Sequence, residues 1–404
     1  MTAKHLHIPG LILMLAGLTA LAPLSTDAYL PAIPTIAAEL GISIHQVELS
    51  VSLFLAGFAC GQLTGGPFSD RFGRRKAIFT GLSLFFLGAC AAMLANSIET
   101  LLAARILQGF GGGVSVVNSA AVIRDRHSGR ESARAMSRMA SILMTAPLLA
   151  PVLGTVLLEV ANWRSIFFFL ASYALLMLLV LWLKLPETRT PQPGPMPNPL
   201  RSYATILSHR TALGYLLSVA FSYAGMFAFI TGSSGSYIHY YGASPSLYTV
   251  LFGLNIVTLL ACNQINIRLL HRFSSQQLLQ MAQRVQLLTA GILMLVFTLT
   301  EAPLWVVVVL IMFYIGVQGF VISNGMAGTS EFFPNMAATA AALVGASGFA
   351  AGALAGSLVG LLGDGTPLPM IAVMLTSSIA GNLLGLWLLP RSVRASHRCE
   401  NAEN

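Results

Sequence analysis

Apolar stretches, each closed by a short polar turn, recur along the chain at roughly 9–31, 46–66, 77–95, 100–122, 139–159 and 165–184. Six more follow at roughly 211–232, 246–267, 285–300, 303–325, 338–362 and 368–389. A helix of about 20 apolar residues spans the hydrocarbon of a bilayer. The pattern therefore predicts an all-α membrane protein with twelve transmembrane helices. Between the two sets lies Pro186 to Pro199, where six of fourteen residues are proline. Such a stretch excludes helix and predicts a stiff, solvent-exposed linker. The expected organisation is an N-terminal six-helix half at 1–185, a Pro-rich linker at 186–210, a C-terminal half at 211–390 and a tail at 391–404.

Composition agrees with a membrane protein. Of 404 residues 55% are hydrophobic and 9% charged, where a soluble domain carries about 25% charged. The net charge of +8 would suggest nucleic acid in a soluble protein. Here 20 of the 22 Lys and Arg fall in segments on one side of a twelve-span layout. Only Arg164 lies on the other side, and Arg105 lies within a span. That is the positive-inside signal, and it places both termini in the cytoplasm. No basic run interleaved with aromatics exists, so nucleic-acid binding is excluded. The outer turns are expected to carry Glu39, Glu48, Glu99, Glu159, Glu301 and Asp364.

Lys4 and the apolar run Ile8 to Leu24 mimic a signal peptide. The run continues through Asp27 to Pro31 and Pro34, with eleven spans after it, so a retained first span is expected. Cys60, Cys90, Cys262 and Cys399 form neither a disulfide framework nor a zinc spacing. No metal and no cofactor is expected. None of the eight histidines is placed deep in a span, and no HExxH, nucleophile elbow or phosphate loop is present. An enzyme and direct ATP use are thereby disfavoured.

Two charges remain inside the apolar spans, Asp27 and Arg105. Charges there are costly and are functional candidates by default. An ionised carboxylate is disfavoured in apolar surroundings, so Asp27 can load and release a proton. Arg105 is either a relay or a cation that satisfies carbonyls. A permanent pair between the two could not carry protons, so contact in one conformation only, or a bridge through Gln108 or water, is expected. A weak repeat links the halves: Asp70-Arg71-Phe72 reappears about 201 residues on as His271-Arg272-Phe273. The same shift carries Asp27 to Ala228 and Arg105 to Val306, which makes the coupling machinery one-sided.

The stretch Gly66-Pro-Phe-Ser-Asp70-Arg71-Phe72-Gly73-Arg74-Arg75-Lys76 resembles the loop signature of the major facilitator superfamily between helices 2 and 3. Gly66 and Gly73 are expected to permit tight turns, and Asp70 to pair with a nearby Arg or a helix N-terminus in the other half. Helix 1 with Asp27, Tyr29, Pro31 and Pro34, helix 4 with Arg105, Gln108 and Gly109, and helix 5 with Pro147, Pro151 and Gly154 are similar to the bicyclomycin-resistance branch of proton-coupled drug antiporters. Ala224 to Phe229 and Glu331 to Pro334 resemble that branch too, whereas Thr155 stands where it often has a second glycine. The resemblance implies a latch at Gly66, Asp70, Arg71, Gly73 and Arg74, and proton coupling at Asp27, Arg105 and Gln108. It also implies an antiporter motif at Pro147, Pro151 and Gly154.

The same resemblance places helices 1, 4, 7 and 10 around a cavity. Candidate lining residues are Tyr29, Ser119, Tyr223, Met226, Phe227, Ile230, Tyr314 and Gln318. By residue type alone the helix 7 stripe equally suits lipid-facing or core packing. On helix 4 the polar and small face from Arg105 through Ser115 to Ser119 suits a cavity wall. Glycines at 57, 61 and 65 in helix 2 and at 348, 352, 356 and 360 in helix 11 are expected to face each other across the halves, with packing inside one half as the alternative. The expected function is a monomeric, proton-driven exporter of small amphipathic toxic compounds in a bacterial inner membrane. A metabolite exporter or symporter on the same fold is the alternative.

Overall fold

The computed structural model describes residues 8–127, 129–189, 198–333 and 336–389. Lys4, His5, His7, Pro334, residues 190–197 of the linker and the tail with Arg391, Arg394, His397, Arg398 and Cys399 lie outside the described residues. Among the described residues twelve helices are long and apolar enough to cross a membrane: α1 (Gly10–Leu40), α2 (Ile44–Phe72), α3 (Arg74–Met93), α4 (Ile98–Arg126), α5 (Arg134–Val160), α6 (Arg164–Lys184), α7 (Arg210–Tyr240), α8 (Pro245–Leu269), α9 (Ser275–Leu299), α10 (Leu304–Glu331), α11 (Thr339–Leu361) and α12 (Leu368–Leu388). In a bilayer only structures that satisfy their own backbone can span, so helices are what the apolar runs must form. Exposed side chains such as Leu175, Leu179, Leu183, Leu383 and Leu386 give the outer helices an apolar surface suited to lipid.

Sharp starts come from local chemistry. The Ser43 hydroxyl accepts from Gln46 N at 3.4 Å while Gln46 Oε1 accepts from Ser43 N at 3.2 Å, a reciprocal cap that opens α2. Ser274 and Gln277 open α9 in the same way. Several helices run beyond their apolar parts: α2 continues through Pro67 to Phe72, and α4 to Arg126. The expected turn at Gly66 is therefore absent, for Gly66 is helical. The single turn into α3 is made at Gly73, with φ +103°. The linker is not all extended either. Pro199–Ser208 forms a helix, with its proline at the first position where no N–H is missed, and its Ile206 buries against the basic end of the C-terminal half.

Within the N-terminal half α2 and α4 touch backbone to backbone. A Cβ on Gly57 or Gly61 would collide with the carbonyls of Ile106 or Phe110, and one on Gly109 or Gly113 with those of Phe54 or Phe58. The α2 glycine stripe thus packs inside its own half and not across the seam, contrary to expectation. The α11 stripe divides. Gly348 and Gly352 seat Tyr223 and Phe227 of α7, while Gly356 and Gly360 approach Ser52 and Leu49 of α2. Small residues permit this closeness, and the collisions show why larger ones would force the helices apart.

The halves meet along α2 and α11, and between α5 and α8. The hydroxyls of Thr155 and Thr249 lie 2.7 Å apart, and Ser246 donates to Glu159 at 3.1 Å. Both contacts lie at the end away from the basic loops, called here the far end. At the basic end the linker-helix Tyr203 hydroxyl donates to the Leu63 carbonyl at 3.3 Å.

Candidate transport site

Helix α1 breaks where its chemistry sits. A segment Leu21–Asp27 ends at the aspartate, a 3-10 turn follows at Leu30–Ala32, and helix resumes at Ile33–Leu40. Pro31 and Pro34 impose the interruption, since each lacks an N–H to continue the ladder. Asp27 is 5% exposed, and its Oδ1 accepts from the Thr26 hydroxyl at 2.8 Å. Among the described residues no cation stands within ion-pair distance of it. A Cβ on Gly154 would collide with the Ala28 carbonyl, so only a glycine lets α5 lie against the break. With Pro147 and Pro151 it shapes the face of α5 that continues on to α8. Tyr248 of α8, whose hydroxyl is 2.9 Å from that of Ser233, lies within electrostatic reach of Asp27. The carboxyl therefore sits at the seam between the halves.

Arg105 is fully buried. Its Nη1 donates to Gln108 Oε1 at 2.7 Å and its Nη2 to the Ser25 carbonyl at 3.0 Å. The guanidinium carbon lies 4.4 Å from the Phe54 ring centre, 4.9 Å from Tyr29 and 5.8 Å from Phe167. Planar cations bind aromatic faces well when both are desolvated. Asp27 and Arg105 form no ion pair, and Gln108 makes no bridge, since its Nε2 has no partner. The link between them runs through the Ser25 carbonyl, two residues before the aspartate. Tyr29, whose hydroxyl accepts from Ser50 Oγ at 3.0 Å, is a wall of this arginine cage and not of a cavity shared by the halves.

From the cage an aromatic column crosses the seam. Phe54 and Phe58 stack at 5.9 Å, Phe58 and Phe349 tilt at 4.7 Å, and Phe349 meets Phe227 at 5.6 Å and Tyr223 at 5.9 Å. Phe54, Phe58 and Phe349 were not among the expected site residues. The i, i+4 spacing of the first two beside the α2 glycines was the available signal. Tyr223, Met226 and Ile230 stay half-buried on one face of α7, at helical spacing for a lining stripe.

The α10 candidates point elsewhere. The Tyr314 and Ser378 hydroxyls lie 3.0 Å apart, with Gly225 making room for the ring. Gln318 Oε1 accepts from Gln286 Nε2 at 2.9 Å and from Ser222 Oγ at 2.6 Å. Both residues knit the C-terminal half together. The α4 face also divides, since Ser115 donates to the Ile78 carbonyl of α3 at 3.2 Å, and only Ser119 keeps a buried hydroxyl without a partner.

At the basic end Arg74 gathers the latch. Its Nη1 donates to Asp70 at 2.6 Å and to Ser69 at 2.8 Å, and its Nε to Asp125 at 2.9 Å. Arg71 offers its carbonyl to Arg189 Nη1 at 3.0 Å. Glu187 was unforeseen. Its carboxylate accepts from the main-chain N–H groups of Arg74 at 2.9 Å and Arg75 at 3.1 Å, capping α3. Partial burial pushes this carboxyl up, but hydrogen bonds from four main-chain N–H groups outweigh that and hold it below its ordinary value. The sign follows from linkage: stability from Glu187 is present at neutral pH and is lost as pH falls through the depressed value. Thermal unfolding of wild type and Glu187→Gln should therefore differ at neutral pH and converge only below the usual glutamate range. A gap that closes at higher pH would refute the cap.

Glu48 is a further residue placed differently from expectation. It is 1% exposed inside α2, one turn from the helix start, and not in an outer turn. Glu39 ends α1 and pairs with Arg164. Among the described residues no group of three or more His, Cys, Asp or Glu is placed to hold a metal.

Two six-helix halves, a buried carboxyl at their seam and a polar latch at one end define the class of twelve-span, two-half membrane transporters. The family model described as Major Facilitator Superfamily matches residues 15–357, and the chain belongs to that superfamily. It is 32% identical over 387 residues to a bicyclomycin resistance protein homolog of Haemophilus influenzae, covering 95% of this chain and 97% of that one. To the multidrug resistance protein D of Escherichia coli it is 31% identical, covering 96% and 97%. It falls in the bicyclomycin-resistance branch of drug transporters that its sequence resembles. The xylose transporter XylE of E. coli, solved in a partially occluded inward-open conformation, shares the fold with a TM-score of 0.73 at 16% identity, over 95% of this chain and 98% of that one.

Proposed function

We propose that this chain is a proton-coupled antiporter, with Asp27 as proton carrier, that exports small amphipathic toxic compounds across a bacterial inner membrane by alternating access, with both termini cytoplasmic. The observation that carries the reading is Asp27 itself: buried, held by one hydroxyl and, among the described residues, paired with no cation. An isolated ionised carboxylate is expensive in such surroundings, so the return passage without bound compound favours the neutral acid. Its place at the seam lets relative movement of the halves change which side it meets. Relatives that bear drug-resistance names support the substrate class.

In the proposed cycle a compound enters from the basic end and rests against the half-buried Tyr223, Met226 and Ile230 stripe and Phe227. Apolar, Met-bearing surfaces accept varied ligands. Closure at the basic end releases the compound outward, and a proton from outside reloads Asp27 for return. Arg105 with Gln108 orients α1 through the Ser25 carbonyl. The latch of Gly66, Asp70, Arg71, Gly73 and Arg74 closes the inner side. A monomer suffices, and no cofactor takes part.

The test is accumulation of a panel of antibiotics and dyes in pump-deficient bacteria, with and without expression and with and without a protonophore. Accumulation should fall on expression and recover with the protonophore. Unchanged accumulation of every compound, with the protein present in the membrane, would transfer the assignment to a specific metabolite.

A further inference from the structure

At the far end α2 enters the seam with His45 and Glu48 one turn apart. Neither the proton carrier nor the basic-end latch uses them. His45 Nδ1 lies 3.0 Å from Glu48 Oε2. Its Nε2 lies 3.1 Å from the main-chain N–H of Gly365, in the turn between α11 and α12 and so in the other half. A main-chain N–H can only donate, so Nε2 must carry a lone pair. The ring proton is then on Nδ1, donating to Glu48, and the imidazole is neutral.

The opposite half is shaped to receive this pair. A Cβ on Gly363 would collide with the His45 ring, and one on Gly235 of α7 would come within 2.6 Å of Glu48 Oε1. His239 from α7 and Asp364 from the α11–α12 turn are the other charged or titratable groups that face it. Asp364 Oδ1 already accepts from the Thr366 N–H at 2.9 Å and hydroxyl at 2.7 Å. Helices α1 and α12 bring Pro34, Ala37, Pro369 and Met370, none of which titrates.

We propose that His45 and Glu48 form a second proton-binding site, the clasp of the far-end gate, and that loading a proton on His45 Nε2 releases Gly365 and lets the halves part there. The inference rests on the alternating-access reading. Protonation turns Nε2 into a donor facing another donor, which breaks the cross-half bond. The imidazolium keeps its Nδ1–H bond to Glu48, now charge-assisted and internal to α2. The cross-half bond to Gly365 is thereby lost, while the bond inside α2 is kept and Glu48 stays beside Gly235 of α7. His45 is partly exposed, so the proton comes from solution at that end. The closed gate holds neutral His45, so its stability is complete at higher pH and is lost as the imidazole takes up its proton. Acid outside then opens the route by which a proton reaches Asp27.

The test is a distance measurement without drug. Nitroxides placed at Ala38→Cys and Leu362→Cys, both exposed at the far end, report the gate in the full chain in lipid nanodiscs with its natural cysteines replaced by serine. The long-distance population should grow as pH falls from about 8 to about 5. His45→Gln can donate to Glu48 and accept from Gly365 but cannot titrate, and should abolish the growth. Glu48→Gln removes the anion that favours the imidazolium and should lower the midpoint. Asp27→Asn should leave the profile intact. A flat wild-type profile, or one unaltered by both His45→Gln and Glu48→Gln, would overturn the clasp, as would loss of the response in Asp27→Asn. Proton-driven efflux is measured separately, so an intact gate response beside absent efflux would sink the antiport reading alone.

Discussion

Asp27→Asn should abolish uphill efflux while leaving downhill exchange of substrate for substrate. Asparagine has the same shape and can keep the hydrogen bond from the Thr26 hydroxyl, so the α1 break and its contact with Gly154 of α5 survive. What it loses is the ability to take up and release a proton. For a neutral drug exchanged against one proton, about 2.3 kcal/mol is available per 100 mV of membrane potential, and each ~1.4 kcal/mol is tenfold in a concentration ratio. The wild type should therefore hold a gradient of some tens-fold. The variant should fall to the level seen with a protonophore. Counterflow in proteoliposomes needs no net proton movement and should persist. Uphill efflux by the variant would move the proton to another residue. Loss of counterflow as well would make Asp27 part of the substrate path or of the fold.

The spans were legible because lipid leaves the backbone no other option, and long apolar runs announce it. Their basic ends were not. Asp70 and Arg71, like Arg124 and Arg126, carry helix beyond the apolar window, where hydrogen bonding continues and hydropathy falls silent. Spacing on one helix also says nothing about which neighbour it meets. The α2 glycines read as a cross-half surface, yet their partners are the α4 carbonyls of Ile106 and Phe110. Asp27 and Arg105 stood out as lone charges in apolar runs. Glu48 did not, because one helical turn from a polar loop it resembles a surface residue, and it is buried against Gly235 of α7, nearly two hundred positions away. The Tyr314 and Gln318 pair failed for a related reason: a polar side chain on a central helix serves a cavity or a neighbour equally well, and here Ser378 and Gln286 claim them.

Arg105→Met should cost transport but little stability, which separates a relay from a structural cation. The guanidinium is buried with one amide oxygen, one carbonyl and three aromatic faces, and without a carboxylate. Several kcal/mol are spent on removing such an ion from water. Against this stand about 2 kcal/mol or more of cation–π attraction and about 1.5–3 kcal/mol for each hydrogen bond to a charged donor. These terms nearly cancel. A methionine fills the space between Phe54 and Tyr29 and touches both rings favourably, leaving Gln108 Oε1 and the Ser25 carbonyl to find other donors. Thermal unfolding in detergent should thus shift by no more than about 2 kcal/mol, in contrast to the roughly 3–5 kcal/mol lost when a buried pair is broken. Efflux should still fall to background, because nothing then ties α4 to α1 two residues before the proton carrier. Arg105→Lys should fail too: a point charge cannot address Gln108 and Ser25 together as the planar fork does. Unfolding several degrees lower in the methionine variant, together with normal efflux per folded molecule, would assign Arg105 to the fold and leave Asp27 to work without it.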